Sequence, residues 1–132
     1  MNFHSTLTSW YSVNKRSLPW RGSKNPYNIW LSEIILQQTQ IKQGLPYYEA
    51  FLSNYPSVQA LAEASETEIL NLWQGLGYYS RARNLHFTAK HITENLNGEF
   101  PKSYKSLLEL KGVGDYTASA IASICYEEAV AV

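Results

Sequence analysis

Three stretches of the chain place reactive or ligand-binding residue types at spacings that could do chemistry. Glu33 stands in IWLSEIILQQ, four residues after Ile29 and three before Leu36. At the helical period Trp30, Leu31, Ile34, Ile35 and Ile41 share a broad apolar face, Ile29 and Leu36 form a second, smaller stripe, and Glu33, Gln37 and Gln40 fall between that stripe and Trp30. A carboxyl hemmed by apolar and amide groups is partly desolvated, which favours its protonated form and suits it to give a proton to a leaving group. A solvated glutamate on an outer face fits the same periodicity. The second stretch is LLELKGVGDYTASAIAS, residues 107–123, in which Gly112-Val113-Gly114 runs straight into a helical pattern from Asp115 to about Cys125. Two glycines one residue apart allow a tight turn and close approach of a backbone or an anion, and the unpaired N–H groups of the following helix point back toward that turn. A helix–turn–helix corner with no ligand satisfies the string equally. In the third stretch Gly75-Leu76-Gly77 precedes Tyr78-Tyr79, with Arg81 and Arg83 just beyond. Rings beside cations are how proteins hold unstacked bases, while tyrosines packed into the core beside solvated arginines are the plain alternative.

The elements that must position these residues are helices almost throughout, with no strand-like alternation, repeat or linker. Residues 2–14 form an amphipathic helix with Phe3, Leu7 and Trp10 inward, broken by Pro19 and Gly22. Asn25 caps and Pro26 opens a helix from Tyr27 to Gln43. Gly44-Leu45-Pro46 is expected to end it and to start another with Tyr47, Ala50, Phe51 and Tyr55 inward. A short helix covers Val58, Leu61 and Ala62, and the capping-box pattern Ser65 to Glu68 introduces Ile69, Leu70, Leu72 and Trp73. After the tyrosine break a long helix reaches Asn97 with Leu85, Thr88, Ala89, Ile92 and Leu96 along one side, and Gly98 closes it. A short helix from Pro101 to Glu109 leads into the glycine turn, and Ala118, Ala120 and Ala122 beyond it let a neighbour pack near the helix axis. The expected architecture is all-α, one domain over residues 1–132 with a helical hairpin at about 103–125.

Composition sets limits on the chemistry. The 132 residues are 45% hydrophobic, enough for a buried core, and no apolar run is long enough to span a bilayer. Residues 1–13 are polar and amphipathic rather than a secretory signal, so a cytoplasmic location is expected. The single Cys125 excludes an internal disulfide and any four-cysteine site made by this chain alone. Eleven basic and eleven acidic residues cancel, which argues against nucleic-acid binding by bulk charge. The charges are nonetheless uneven: Lys15, Arg16, Arg21 and Lys24 cluster early, and Glu63, Glu66 and Glu68 form an acidic patch. An aromatic share of 14%, with ten tyrosines, suits a dense core or a base-stacking surface.

The string L-x-G-V-G-x-Y-T-A-x-A-I at 110–121 resembles the helix-hairpin-helix motif of DNA glycosylases with the endonuclease III fold. With LPWR at 18–21, WLSEIILQQTQI at 30–41 and GLGYYSRARNLH at 75–86, in that order and spacing, the chain resembles the A/G-specific adenine DNA glycosylases over nearly its whole length. The resemblance implies hydrolysis of the bond between deoxyribose and an adenine flipped out of double-stranded DNA, opposite 8-oxoguanine or guanine. It places Glu33 as the acid, Tyr116 beside the reacting sugar, and Trp20, Arg21 and Leu36 in the adenine pocket. It also places Gln38 and Tyr78 in the base stack, and Gly112, Val113, Gly114, Tyr116 and Thr117 on the DNA backbone. A monovalent cation at the carbonyls of Leu108, Leu110 and Val113 goes with that motif. Endonuclease III relatives with lyase activity carry lysine where this chain has Tyr116, so base removal without Schiff-base strand cleavage is implied.

The resemblance stops at Val132, short of the family's sugar-stabilising aspartate, its four-cysteine 4Fe-4S loop and its 8-oxoguanine-recognising domain. The chain is therefore expected to be an N-terminal fragment of a bacterial, DNA-associated enzyme, inactive alone, with an open core face that invites self-association. Two other readings stand beside this one. A thymine- or pyrimidine-specific glycosylase of the same fold is opposed by Trp20, Arg21 and Glu33. A structural helix-hairpin-helix DNA-binding module would leave Glu33 dispensable.

Overall fold

A computed structural model describes residues 25–37 and 39–126. The helix expected at 2–14, Trp20, Arg21 and Gln38 lie outside the described residues. Among those described, seven helices follow one another and no strand occurs: α1 Pro26–Leu36, α2 Ile41–Asn54, α3 Val58–Glu63, α4 Glu66–Trp73, α5 Ser80–Asn95, α6 Tyr104–Leu107 and α7 Asp115–Tyr126.

α1 is the central element. Asn25 Oδ1 accepts from Tyr27 N at 2.9 Å and Pro26 occupies the first turn, the start its sequence predicts. Every residue from Ile29 to Ile35 is buried, because α2, α5 and α7 pack around it. A helix apolar on two sides has to be surrounded in this way. Trp30 meets Phe100 edge-on at 5.3 Å between ring centroids, and Phe51 of α2 meets Trp73 of α4 at 5.9 Å. α3 packs against α5, and α6 against α7, so the hairpin closes onto the same core.

The end of α1 differs from the expectation. The apolar pattern runs on through Ile41, but the helix stops at Leu36, and Gln37 is extended with ψ 124°. The carbonyls at that end are taken by Arg81, more than forty positions away, as described below. Gly44 and Pro46, expected to stop the helix, lie inside α2 instead. A Cβ on Gly44 would come within 2.6 Å of Leu36 Cδ2 and 3.3 Å of Thr39 Cγ2. Glycine there lets the start of α2 lie against the end of α1. Pro46 leaves the Lys42 carbonyl without a helical donor on an exposed side, where water can serve it. α2 thus starts earlier than expected, at Ile41, and Tyr48 with Phe51 forms its buried face while Tyr47 is half-buried.

The starts of α3 and α4 agree with the sequence reading, whereas α5 stops two residues short of Asn97 and α6 is confined to Tyr104–Leu107 instead of running from Pro101 to Glu109. Ser57 Oγ accepts from Ala60 N and Ser65 Oγ from Glu68 N, opening α3 and α4. α5 ends at Asn95, and Gly98, at φ +77°, turns the chain while its N–H bonds Ile92 O at 2.9 Å.

Candidate functional site

Glu33 sits on the side of α1 that faces α7, and its side chain is buried, 8% exposed. Burial pushes its carboxyl up to about 8, so the protonated form persists at neutral pH. The solvated alternative for Glu33 is thereby excluded. The residue lines a cleft of about 510 Å³ with Leu36, Gln37, Thr39, Gln40, Ile41 and Tyr116. That volume lies within the range that holds a nucleobase-sized ligand.

Two further residues fix the walls of the cleft. Gln37 Nε2 donates to Thr117 Oγ1 at 3.3 Å, joining the end of α1 to the first turn of α7. Tyr116, one residue earlier, is partly exposed at the mouth, and its phenol is raised first by burial and then by the charge of Glu33. Glu33, Leu36 and Tyr116 therefore share one cleft, as the resemblance implies. Gln37 and Gln40 complete its polar lining; their spacing beside Glu33 is the signal for them in the sequence.

The glycine turn is anchored to α5 rather than free. Thr88 Oγ1 donates to Lys111 O at 2.7 Å, and Val113 N to Leu110 O at 3.1 Å. Gly112 has φ +82°, and a Cβ there would stand 3.1 Å from Asn84 Cβ. Gly114 has an ordinary φ, and a Cβ added to it would meet nothing within 4 Å. Neither backbone strain nor packing within the chain explains a glycine at 114; open space at the helix entrance is what it leaves. Val113 is buried, and Thr117 is buried against Gln37, whereas Gly112 and Gly114 are exposed. Tyr104 Oη donates to Asp115 Oδ1, tying α6 to the start of α7. Lys111 Nζ lies over the Phe87 ring, 4.8 Å from its centroid. Among the candidate cation-binding carbonyls, that of Leu110 already accepts from Val113 N and keeps a second lone pair.

On the tyrosine turn, Tyr78 is 66% exposed and adopts φ +49°, a left-handed conformation uncommon for a bulky residue. Trp73 Nε1 donates to Gly77 O at 2.9 Å, and Arg81 N to Tyr78 O at 3.0 Å, which holds the turn in that shape. Arg81 is not a solvated neighbour of this turn. Its Nη1 donates to Ile34 O at 3.1 Å, to Ile35 O at 3.2 Å and to Gln37 O, and its guanidinium lies 5.0 Å from the Trp73 ring centroid. Arg83 makes an exposed side-chain contact with Glu66 at 3.7 Å, which contributes little.

Residues 31–129 match the HhH-GPD superfamily of base excision DNA repair proteins. The chain belongs to that superfamily. Its hairpin of α6, glycine turn and α7 is the element for which the superfamily is named. HhH-GPD relatives include the adenine DNA glycosylase of Buchnera aphidicola subsp. Baizongia pistaciae (strain Bp), 48% identical over 122 residues that cover 92% of this chain and 35% of that protein. The adenine DNA glycosylase of Homo sapiens is 43% identical over 139 residues, covering 98% of this chain and 26% of that protein. The chain thus spans about a third or less of the length of these relatives. Among solved structures, a thermostable thymine-DNA glycosylase superposes with a TM-score of 0.80 at 28% identity, covering 96% of this chain and 58% of that one. An endonuclease III in a non-covalent DNA complex superposes at 0.74 with 18% identity, covering 94% and 58%, and shows the shared fold.

The residues present do not fit a four-cysteine iron–sulfur cluster. Cys125 is the single cysteine, half-buried in the last turn of α7, and burial pushes its thiol up to about 11. A metal-binding cysteine needs the opposite shift. Among the described residues no group of three His, Cys, Asp or Glu side chains could hold a metal ion, and no helix is long and apolar enough to cross a membrane.

Proposed function

We propose that this chain supplies the acid and the DNA-gripping hairpin of an adenine DNA glycosylase that acts on adenine opposite 8-oxoguanine or guanine in double-stranded DNA. The observation that carries the proposal is Glu33: a carboxyl held protonated by burial, in a base-sized cleft next to the hairpin. Adenine leaves deoxyribose poorly as an anion, so the bond breaks more readily when an acid protonates the base. Once its proton is given, Glu33 is a carboxylate in a desolvated site and opposes the positive charge that develops on the sugar. The base departs neutral as the bond breaks, water adds to the sugar cation, and the Glu33 carboxylate takes back the proton that water gives up.

The remaining assignments follow the resemblance. Leu36, with Trp20 and Arg21, would line the adenine pocket. Gln38 and Tyr78 would enter the base stack, for which the exposed Tyr78 ring is suited. Tyr116 stands at the cleft mouth, where a phenol cannot form a Schiff base with the opened sugar. Gly112 and Gly114 allow a phosphate to approach the turn and the entrance of α7. The carbonyls of Leu108, Leu110 and Val113 would seat a monovalent cation there. A 4Fe-4S cluster would belong to cysteines other than Cys125, and the protein would work in the cytoplasm with chromosomal DNA.

The test uses the full-length protein and one duplex with adenine opposite 8-oxoguanine. Glu33→Gln keeps size and a hydrogen-bond donor but transfers no proton. Duplex binding is expected to survive while single-turnover excision falls at least about a hundredfold. An unchanged excision rate would remove Glu33 from the mechanism. The similarity to a thymine-DNA glycosylase favours a second substrate, thymine in DNA, and excision of thymine in preference to adenine would decide for it.

A further inference from the structure

We infer that Arg81 is a positioning residue: one guanidinium fastens the acid-bearing helix to the tyrosine turn, so that contact of DNA with Tyr78 and the pose of Glu33 are set together. This inference rests on the glycosylase reading of the cleft.

Arg81 opens α5 three residues after Tyr78. Its plane lies against two rings, 5.0 Å from the Trp73 centroid and 5.6 Å from that of Tyr78. From there Nη1 reaches Ile34 O, Ile35 O and Gln37 O, and Nη2 lies 3.5 Å from both Thr39 Oγ1 and Gly77 O. The three carbonyls on Nη1 belong to the negative C-terminal end of α1, where a cation is favoured both as a donor and by the helix dipole. Gln37 and Thr39 line the cleft, and Glu33 stands one turn earlier on the same helix. On its other side the guanidinium grips Gly77 and the ring of Tyr78, the most exposed large aromatic among the described residues. Both parts meet on one rigid, planar group. A lysine ammonium could keep the charge but has no plane to stack and no fork to span α1, Thr39 and Gly77.

This arrangement separates two roles that the sequence alone leaves joined. An arginine facing DNA phosphate adds affinity and steepens the dependence on salt, by about one unit of slope for each contact. An arginine spent on carbonyls inside the protein changes what happens after DNA is bound. The geometry points to the second role.

In the full-length protein, Arg81→Lys is expected to lower single-turnover excision at saturating duplex by about tenfold to a hundredfold, the scale of a reacting group misplaced by about 1 Å. The salt slope of binding should stay unchanged. Tyr78→Ala and Arg81→Lys together should cost less than the product of the separate losses, because each breaks the same link. A salt slope reduced by about one with excision at saturation intact, or fully multiplicative losses, would overturn the inference. If Arg81→Lys melts the protein, Tyr78→Ala reads the same link by hydrogen exchange. Duplex binding to the parent should protect amides of 37–44 and 76–81 together, and Tyr78→Ala should lose both. Protection of 37–44 that persists in Tyr78→Ala sinks the inference. Exchange needs only a bound duplex, so its outcome stands apart from whether adenine is the base removed.

Discussion

Gln37 Nε2 donates to Thr117 Oγ1 across eighty positions of sequence, tying the end of the acid's helix to the helix behind the glycine turn where the two pack. Thr117 is buried and Gln37 half-buried, so neither side of the bond is freely replaced by water. Thr117→Val keeps the branched shape and removes the acceptor. A loss of about 0.5–1 kcal/mol is expected, the usual net value of such a bond. Urea unfolding of the two proteins measures it, and equal midpoints would show that the amide finds another partner.

Glu33 should make the domain less stable as pH rises. Its ordinary value is 4.5 and its folded value about 8. Between these the folded state holds a proton that the unfolded state has lost, so unfolding free energy falls with pH. The contribution is complete below the unfolded value and gone once pH passes the folded one. Glu33→Gln has no such proton and should not follow that slope. The variant should gain on the parent by roughly 3–4 kcal/mol between pH 5 and 8, since each tenfold change in proton affinity is worth about 1.4 kcal/mol. Thermal or urea unfolding at several pH values reads the difference. A gap independent of pH would place Glu33 in water, against its burial.

Most of α1 is legible in the sequence because its chemistry is local. Two apolar stripes on one helix require packing on two sides, while the period alone leaves open whether the glutamate between them is buried or solvated. The glycine turn is legible for a similar reason, since its residue types fit few backbone shapes. The end of α1 is not. Its apolar period continues through Ile41, and the break comes from the guanidinium of Arg81 and the close seat of Gly44, neither visible within a local window. In α2 the buried tyrosine is Tyr48 rather than the expected Tyr47, a choice set by what packs against the helix. Arg81 itself stands out in the sequence as a cation beside tyrosines; that its partners are carbonyls of α1 depends on tertiary structure alone.

Binding of DNA should depend more on space at Gly114 than on charge at Lys111. A Cβ at Gly114 meets nothing within 4 Å in the chain, so bulk added there projects toward what approaches from outside. The Lys111 ammonium already lies over Phe87. Gly114→Val is therefore expected to weaken duplex binding more than Lys111→Ala, and the parent should show a shallow salt dependence, consistent with its zero net charge. Fluorescence anisotropy at two salt concentrations compares the three proteins. The reverse order would move the main contact from the backbone of the turn to the lysine.

The pH dependence of excision tests which form of Glu33 works. If its proton is the one given to adenine, the active form is the protonated carboxyl, which prevails below about 8. Single-turnover excision by the full-length protein should then be level on the acid side and fall by about tenfold per pH unit above that value. Duplex unfolding and loss of binding are controlled by working at saturating protein and confirming the complex at each pH. Glu33→Gln should lose this alkaline limb together with most of its rate, because glutamine has no proton to surrender. Tyr116→Phe offers a contrast: it leaves the carboxyl in place and removes a phenol that feels the charge of Glu33. Its alkaline limb should remain, whatever the change in rate. A rate that instead rises through pH 8 would mean that the carboxylate is the working form, as a base or an electrostatic partner, and that the acid comes from elsewhere.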